Sequence, residues 1–561
     1  MFSFPDPKTE DEKEKKVQRC LEVIPGILTW STLIGMPLLS FIVPVWVAFF
    51  IIIFDIYWIY RTIFISTYSV FAYKKLKRGK TTDWWEVCQN TSAPQEYLNE
   101  LEEKSQKIRE TLKGDFNLAR RRKIKKELNF LNQQIQEAKN ILNVKNEILD
   151  WRKIVHVVML PTANEPAEII EPALKSIEDS NFPNKQIIIL LATEERENEE
   201  NRMKKVNYLK NKFKDTFKDF IVTTHIVQDG EMKCKASNAT FAAKELMKYL
   251  DERKIDYKRV IFSNFDCDSV CHKEYFAAVT YQYVIDPKRL QRSYQPIPMY
   301  HNNLWDTNAF VRVIVTSSSF WHMYQSTRKE MVTFSSHSEP FDTLVKVNFW
   351  PVNMISEDSI IYWKCFAYYN GDYMVRPIYL PISLDAVLAE TYWKTIKNQY
   401  FQKRRWAYGI ENFPVIMRSI WGNSKIKLSK KLSIAFEMLE GHHSWATAPY
   451  ILALLGWMPL IFGGPAFNES VLAHNLPYIT RFLMSLAMAG LVISMSLSFI
   501  LMPERPKRYS RKKYIYMLLQ WALVPIIAPT LGALPAIDSQ TRILIKKHFT
   551  EFWVTEKMKK K

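Results

Sequence analysis

Hydrophobic positions are gathered into two blocks, about 22–72 and 444–548, while the stretch between them alternates short apolar runs with charged segments. Between residues 20 and 60 the only formal charges are Glu22 and Asp55. That run is too long for one bilayer crossing, so 21–72 is predicted to hold two transmembrane helices joined by a turn near 37–44. Asp55 then falls inside the second span, where it is either functional or hydrogen-bonded between helices. In the second block, 446–464 and 477–502 each predict one span. Residues 514–536 contain Pro525, Pro529 and Pro535 and predict a broken or re-entrant segment. Basic clusters at 74–80 and 505–513 place the N-terminus and the middle of the chain in the cytoplasm, and a re-entrant 514–536 keeps the Lys-rich end (557–561) on that side too. The expected protein is therefore multi-pass and integral to the plasma membrane, with a cytoplasmic tail at 1–20 and a basic tail at 549–561.

Between the blocks the period changes twice. Leu98, Leu101, Ile108 and Leu112, then Leu128, Leu131, Ile135 and Ile141, recur at helical spacing with Gly114 between them, predicting a helical hairpin within a cytoplasmic insertion at 73–152. From residue 154 short apolar runs predict strands at 157–160, 187–191, 220–227 and 260–262. Helices are predicted between them at 166–179, 197–213 and 235–250. Strand and helix in alternation predict an α/β domain with a mostly parallel, Rossmann-like sheet over 153–390. It has neither a GxGxxG turn nor a Walker loop, which removes support for NAD and P-loop chemistry. Residues 391–443 predict interfacial amphipathic helices.

Composition sharpens the partner. A net charge of +19 calls for an anionic one: nucleic acid, anionic lipid or a phosphorylated substrate. No zinc-finger spacing or RRM signature accompanies the charge, so membrane lipid and phosphorylated substrate are expected and nucleic acid is not. The six cysteines are scattered and predict no disulfide framework. Cys267, Cys271 and His272 lack a second ligand pair and read as buried thiols before they read as zinc ligands.

Three patterns carry chemistry. Asp266-Cys267-Asp268 follows the strand at 260–262, and two carboxylates one residue apart at a strand end suit a hard cation, Mg²⁺ or Mn²⁺. Glu357 and Asp358 precede an apolar helical stretch at 360–368; they either cap that helix or supply a general base. Gln402-Lys403-Arg404-Arg405-Trp406 lies on a basic, aromatic-laced helix just before the second apolar block. There Arg405 can grip a diphosphate and Trp406 can pack a sugar ring.

DxD, then ED, then QxxRW ahead of a membrane block resembles the processive branch of the family 2 glycosyltransferases, which includes the cellulose, hyaluronan and poly-N-acetylglucosamine synthases. Upstream, Pro161-Thr162-Ala163-Asn164-Glu165 is similar to that family's P-x-x-N-E turn. Thr193-Glu194-Glu195 stands where it has an acidic pair that contacts uracil, and Lys235-Ala236-Ser237-Asn238 matches its K-x-x-N segment. The resemblance covers about 155–410. It implies a GT-A fold flanked by transmembrane helices and a nucleotide-diphospho-sugar donor, a UDP-sugar in the first instance. Implied with these are a divalent cation, a polysaccharide acceptor and an inverting single displacement. It further implies that Thr162 and Glu165 flank the nucleotide, with Glu194 near the base and Lys235 in the binding site. By the same resemblance Asp266 touches the nucleotide, Asp268 coordinates the metal and Asp358, beside Glu357, is the base. Gln402, Arg405 and Trp406 then hold the pyrophosphate and the acceptor end. Three departures stand out: Glu replaces the usual Asp pair after the second strand, Ser356 replaces a common Thr, and the 96–150 insertion has no counterpart. Alternatives are single-sugar transfer to a membrane lipid and, more remotely, a non-catalytic scaffold or transporter.

Overall fold

The computed structural model describes residues 4–114, 117–550, 553 and 558; the Lys-rich end at 557–561 lies outside them except for Met558. A mixed α/β unit carries one eight-stranded, largely parallel sheet. Its strands are β1 (Val155–Pro161), β2 (Ile187–Glu194), β3 (Asp219–His225), β4 (Val260–Asn264), β5 (Val270–Cys271), β6 (Arg292–Met299), β7 (His337–Pro340) and β8 (Met374–Ser383). They run in the order β3-β2-β1-β4-β7-β6-β8-β5. β3, β2, β1 and β4 are parallel neighbours; β7 is antiparallel to both β4 and β6, while β6 and β8 pair in parallel.

The parallel half follows from its apolar runs. β1 and β2 are buried on both faces, so neighbouring residues serve opposite cores. Val155, Val157 and Met159 pack with Ala239, Ala243 and Leu246, while Ile154, Val158 and Leu160 pack with Ile170, Leu174 and Leu209. Each such aliphatic side chain stabilises the sheet by about 1.5–3 kcal/mol when fully buried.

Helices frame this sheet. α1 (Glu12–Ile42) and α2 (Pro44–Thr81) come first, then the hairpin α3 (Pro94–Gly114) and α4 (Leu118–Asn143). The sheet's helices are α5 (Ala167–Glu178), α6 (Glu199–Phe213) and α7 (Lys235–Glu252). α8 (Ala309–Gln325), α9 (Glu357–Tyr368) and α10 (Tyr392–Ala407) build the site, and α11 (Leu428–Ala453), α12 (Val471–Leu501) and α13 (Leu534–Leu544) close the chain. Among the described residues four helical runs are long and apolar enough to cross a membrane, α1, α2, α12 and the continuous run Lys513–Leu544 that ends in α13, and α11 with Leu455–Phe462 makes a fifth if that bent pair is one span.

Several boundaries differ from expectation. The first helix starts within the expected tail, because Asp11 accepts from the Glu14 amide as N-cap and Arg418 binds Glu14 and Gln18. α2 runs on past residue 72, so the basic cluster at 74–80 lies on a helix and not in a linker. The sharp bend is not within 514–536, which stays helical through 3₁₀ and π turns. It lies at Leu454, where α11 meets Leu455–Phe462 at 51°. In the expected hairpin, α3 and α4 pack antiparallel through Leu98, Leu101 and Leu131, with Lys139 paired to Glu102 at 2.9 Å.

Two joints hold helices to each other and to the sheet. α2 carries Ala72 and Leu76 into a cluster with Ile297 and Met299 of β6, and Gly79 lies on β8. A Cβ at Gly79 would stand 2.1 Å from the Tyr379 carbonyl oxygen, so Gly79→Ala should lower stability by about 1–3 kcal/mol, read as a fall in Tm of the detergent-solubilised protein. An unchanged Tm would show that α2 and β8 can separate freely. At the second joint α1 meets α13: Thr29 Oγ1 donates to Gln540 Oε1 at 2.6 Å, the Trp30 indole to Thr541 Oγ1 at 2.9 Å, and Arg19 to the carbonyls of Ile543 and Leu544.

Candidate active site

A cavity of about 850 Å³ opens at the carboxyl ends of β1, β2 and β4 and continues between α2, α8, α10 and α11. In parallel α/β sheets that end is where loops gather ligand-binding groups. Thr162, Glu165, Glu194, Lys235, Asp266, Glu357, Asp358, Gln402, Arg405 and Trp406 all line it; Asp268 does not.

Local structure explains the placement. After β1 the chain turns at Thr162, and the Glu165 carboxylate accepts from the Ala163 and Asn164 amides at 2.8 and 3.2 Å, so it holds the turn closed. Of the two acids after β2, Glu194 is buried, paired with Arg196 and on the cavity wall, whereas Glu195 is exposed. Burial raises the Glu194 carboxyl above its ordinary value, partly offset by Arg196. In the K-x-x-N segment Asn238 donates to the Ala192 carbonyl at 3.0 Å and so pins α7 to β2. Lys235, at the first turn of α7, is then free to point at the acids.

Lys235 Nζ lies 2.8 Å from Asp266 Oδ1, 3.4 Å from Asp358 Oδ1 and 3.5 Å from Glu357 Oε1. One ammonium thus ties a strand end to a helix start ninety residues away, and these acids hold its pKa above the ordinary value against the opposing effect of burial. Asp358 sits in the first turn of α9 without serving as its cap; Ser356 is the N-cap residue, and its hydroxyl contacts Glu411 Oε1 at 2.8 Å and Asn412 Oδ1 at 2.7 Å. Arg405 is buried. Burial lowers its pKa, with Glu357, Asp266 and Asp358 acting in the opposite direction. Gln402, Arg405 and Trp406 share one face of α10 at i, i+3 and i+4, while Arg404 turns to Asp538 of α13 at 3.1 Å.

Glu357 is the acid whose ionisation the site resists most visibly: burial and then the Asp358 charge push its carboxyl up to about 7, with Lys235 and Arg405 pulling back. An acid raised in the folded state binds a proton that the unfolded chain releases. The associated stability is therefore complete below the ordinary 4.5 and lost as pH rises through about 7. Glu357→Gln is expected to flatten the fall in Tm between about pH 5 and pH 8; an unaltered profile would place the titrating group elsewhere.

Three residues that no sequence pattern marked complete the shell. Ser335 donates to Asp266 Oδ2. Ser336 stands at φ 64°, a left-handed conformation unusual for serine, with its hydroxyl accepting from the Asp266 amide at 3.3 Å and contacting Ser269 at 2.7 Å. His337, fully buried, lies 4.0 Å from Asp358 Oδ1 and 3.4 Å from Glu339; burial alone would depress its pKa, but the two acids hold it above the ordinary value. A polar Ser-Ser-His run leading into a short strand gives no periodicity to find.

Asp268 lies behind the wall, buried, its Oδ2 accepting from the Asp385 amide at 2.7 Å. Among the described residues no three His, Cys, Asp or Glu side chains form a cage for a metal ion. Asp266 nevertheless offers hard carboxylate oxygens at the open cavity, with the Asp268 carboxylate behind it. That donor set fits Mg²⁺ or Mn²⁺, which commonly take one or two carboxylates and complete their shell with substrate phosphates and water.

No family model and no curated protein matches this chain. Among solved structures it is similar to a mannosyltransferase, PcManGT from Pyrobaculum calidifontis in complex with GDP-Man and Mn²⁺, at 15% identity and a TM-score of 0.32, covering 60% of this chain and 86% of that one. S. aureus TarS 1–349 in complex with UDP-GlcNAc is similar at 11% identity and a TM-score of 0.33, covering 70% and 91%. Overall superpositions this loose carry no weight for chemistry, which rests on the residues themselves.

Proposed function

We propose that this protein is a membrane-embedded glycosyltransferase of GT-A type. It moves a sugar from a nucleotide diphosphate donor to a growing polysaccharide by an inverting displacement at the cytoplasmic face of the plasma membrane. The observation that carries the reading is convergence: Asp266, Asp358 and Arg405, distant along the chain, share one cavity around Lys235.

In this reading the turn at Thr162 and Glu165 and the buried Glu194 receive the nucleoside. Arg405 and Gln402 hold the diphosphate, and Trp406, whose ring centre is 6.2 Å from that of Tyr300, packs the acceptor sugar. Asp358 takes the proton of the acceptor hydroxyl as its oxygen bonds to the anomeric carbon. The bond from that carbon to the diphosphate oxygen breaks on the opposite side, and the nucleoside diphosphate leaves with the electron pair. Asp268 and Asp266 would hold a divalent cation that neutralises charge on the leaving group. Lys235 keeps Asp266 and Asp358 at a fixed spacing and offsets their mutual repulsion.

Full-length protein given a panel of UDP- and GDP-sugars with Mg²⁺ or Mn²⁺ should release nucleoside diphosphate from at least one of them. Silence across the whole panel would end the proposal. A second reading, one sugar added to a lipid, draws support from Trp58 and Arg61 on the apolar helix α2, which form part of the cavity wall. A single glycolipid with no chain growth in the labelled product would select it.

A further inference from the structure

Lys403 differs from the other cations on the cavity wall. Those have carboxylates beside them, as Lys235 has Asp266, Arg61 has Glu440 and Arg328 has Glu437. Among the described residues Lys403 has no acid at ion-pair distance. Its Nζ lies 3.2 Å from Ser318 Oγ, 4.7 Å from the centre of the Trp406 ring and 5.6 Å from that of Trp445. Burial pushes its ammonium down to about 8, and no neighbouring charge acts against that shift.

Lys403 is half-buried on the cavity wall, and a cation even partly withdrawn from water without a counter-charge destabilises a fold. Two indole faces offset part of that cost. A methionine would fill the same space with no desolvation cost at all. What a lysine adds here is attraction for an anion, and the molecule that can supply one is whatever occupies the cavity next to Trp406.

We infer that Lys403, held between Trp406 and Trp445 with Ser318 as a hydrogen-bond partner, recognises an anionic group on the acceptor, a carboxylate or a phosphate close to the sugar that Trp406 packs. This rests on the proposed transferase reading and deepens it: the acceptor is acidic, either a uronate-bearing saccharide or a phosphate-linked lipid.

The test uses full-length protein in nanodiscs and two matched pairs of radiolabelled probes, a polyprenyl phosphate against its polyprenol and a glucuronate oligosaccharide against its methyl ester. Wild type should bind one anionic probe about tenfold or more tightly than its neutral twin, the scale of one charge-assisted hydrogen bond, and the pair that discriminates identifies the source. Lys403→Met should bring that ratio to about one, and Lys403→Arg should keep it; Lys403→Gln serves if the Met variant does not fold. Equal binding within both pairs by wild type, or an unchanged ratio in the Met or Gln variant, overturns the inference. Donor turnover is measured separately on wild type: if no nucleotide sugar is cleaved, the transferase reading has failed, and if one is cleaved without anion preference, only this inference has.

Discussion

Asp358→Asn is expected to bind a nucleotide diphosphate donor as wild type does and to transfer sugar about 10³-fold more slowly. The change keeps the shape of the side chain. The Thr333 hydroxyl bonds the Asp358 backbone carbonyl at 2.5 Å, so that anchor survives the substitution. Lys235 retains Asp266 at 2.8 Å and Glu357 at 3.5 Å, so the site's cation stays neutralised. What disappears is the proposed acceptor of the hydroxyl proton, a loss expected to fall on kcat and to leave donor affinity intact. Turnover at the wild-type rate would remove Asp358 from the base role. Glu357→Gln distinguishes the neighbours: Glu357 is 4% exposed against 26% for Asp358, so it is the less able to meet an acceptor.

The second large effect concerns Asp268. Asp268→Ala should lose Mn²⁺-dependent binding of a nucleoside diphosphate by about 100-fold, and EDTA should do the same to wild type. Alanine also strips the Asp385 amide of its acceptor, a loss of about 1–3 kcal/mol that could disturb the loop after β8. Asp268→Asn separates the two causes, because a carboxamide oxygen still accepts from Asp385 while the charge is gone. Equilibrium dialysis with and without Mn²⁺ reads the result directly; donor binding that ignores both EDTA and the Asn substitution would rule out Asp268 as a metal ligand.

How much of this was legible in the chain depends on which half of the sheet is considered. β1, β2 and β4 announce themselves by short apolar runs, 157–160, 187–191 and 260–262, because both of their faces are covered. β6 and β7 do not. Arg292–Met299 includes Gln295, Pro296 and Pro298, and His337–Pro340 is nearly all polar, although every residue of both strands is buried. Their burial is satisfied by specific partners, such as Ser338 against Ser263 and Tyr275 at 2.7 Å each, and such pairings have no period. The same holds for the site: DxD, ED and QxxRW are spaced motifs, whereas Ser336 and Asp385 become neighbours of Asp266 and Asp268 only through the fold. Lys403 was visible within its motif but not its missing counter-charge, which is a property of α8 and α11 around it.

The joint between α1 and α13 bears on how the molecule is made. The hydroxyl of Thr29 and the indole N–H of Trp30 emerge from the ribosome some five hundred residues ahead of Gln540 and Thr541, with which they bond. Until then these donors sit on an apolar helix without those acceptors, a costly state wherever water is excluded. The sheet domain can fold in the meantime, since domains generally fold as units from the N-terminal side. α1 must wait, so this joint closes only after residues 540–544 have been made.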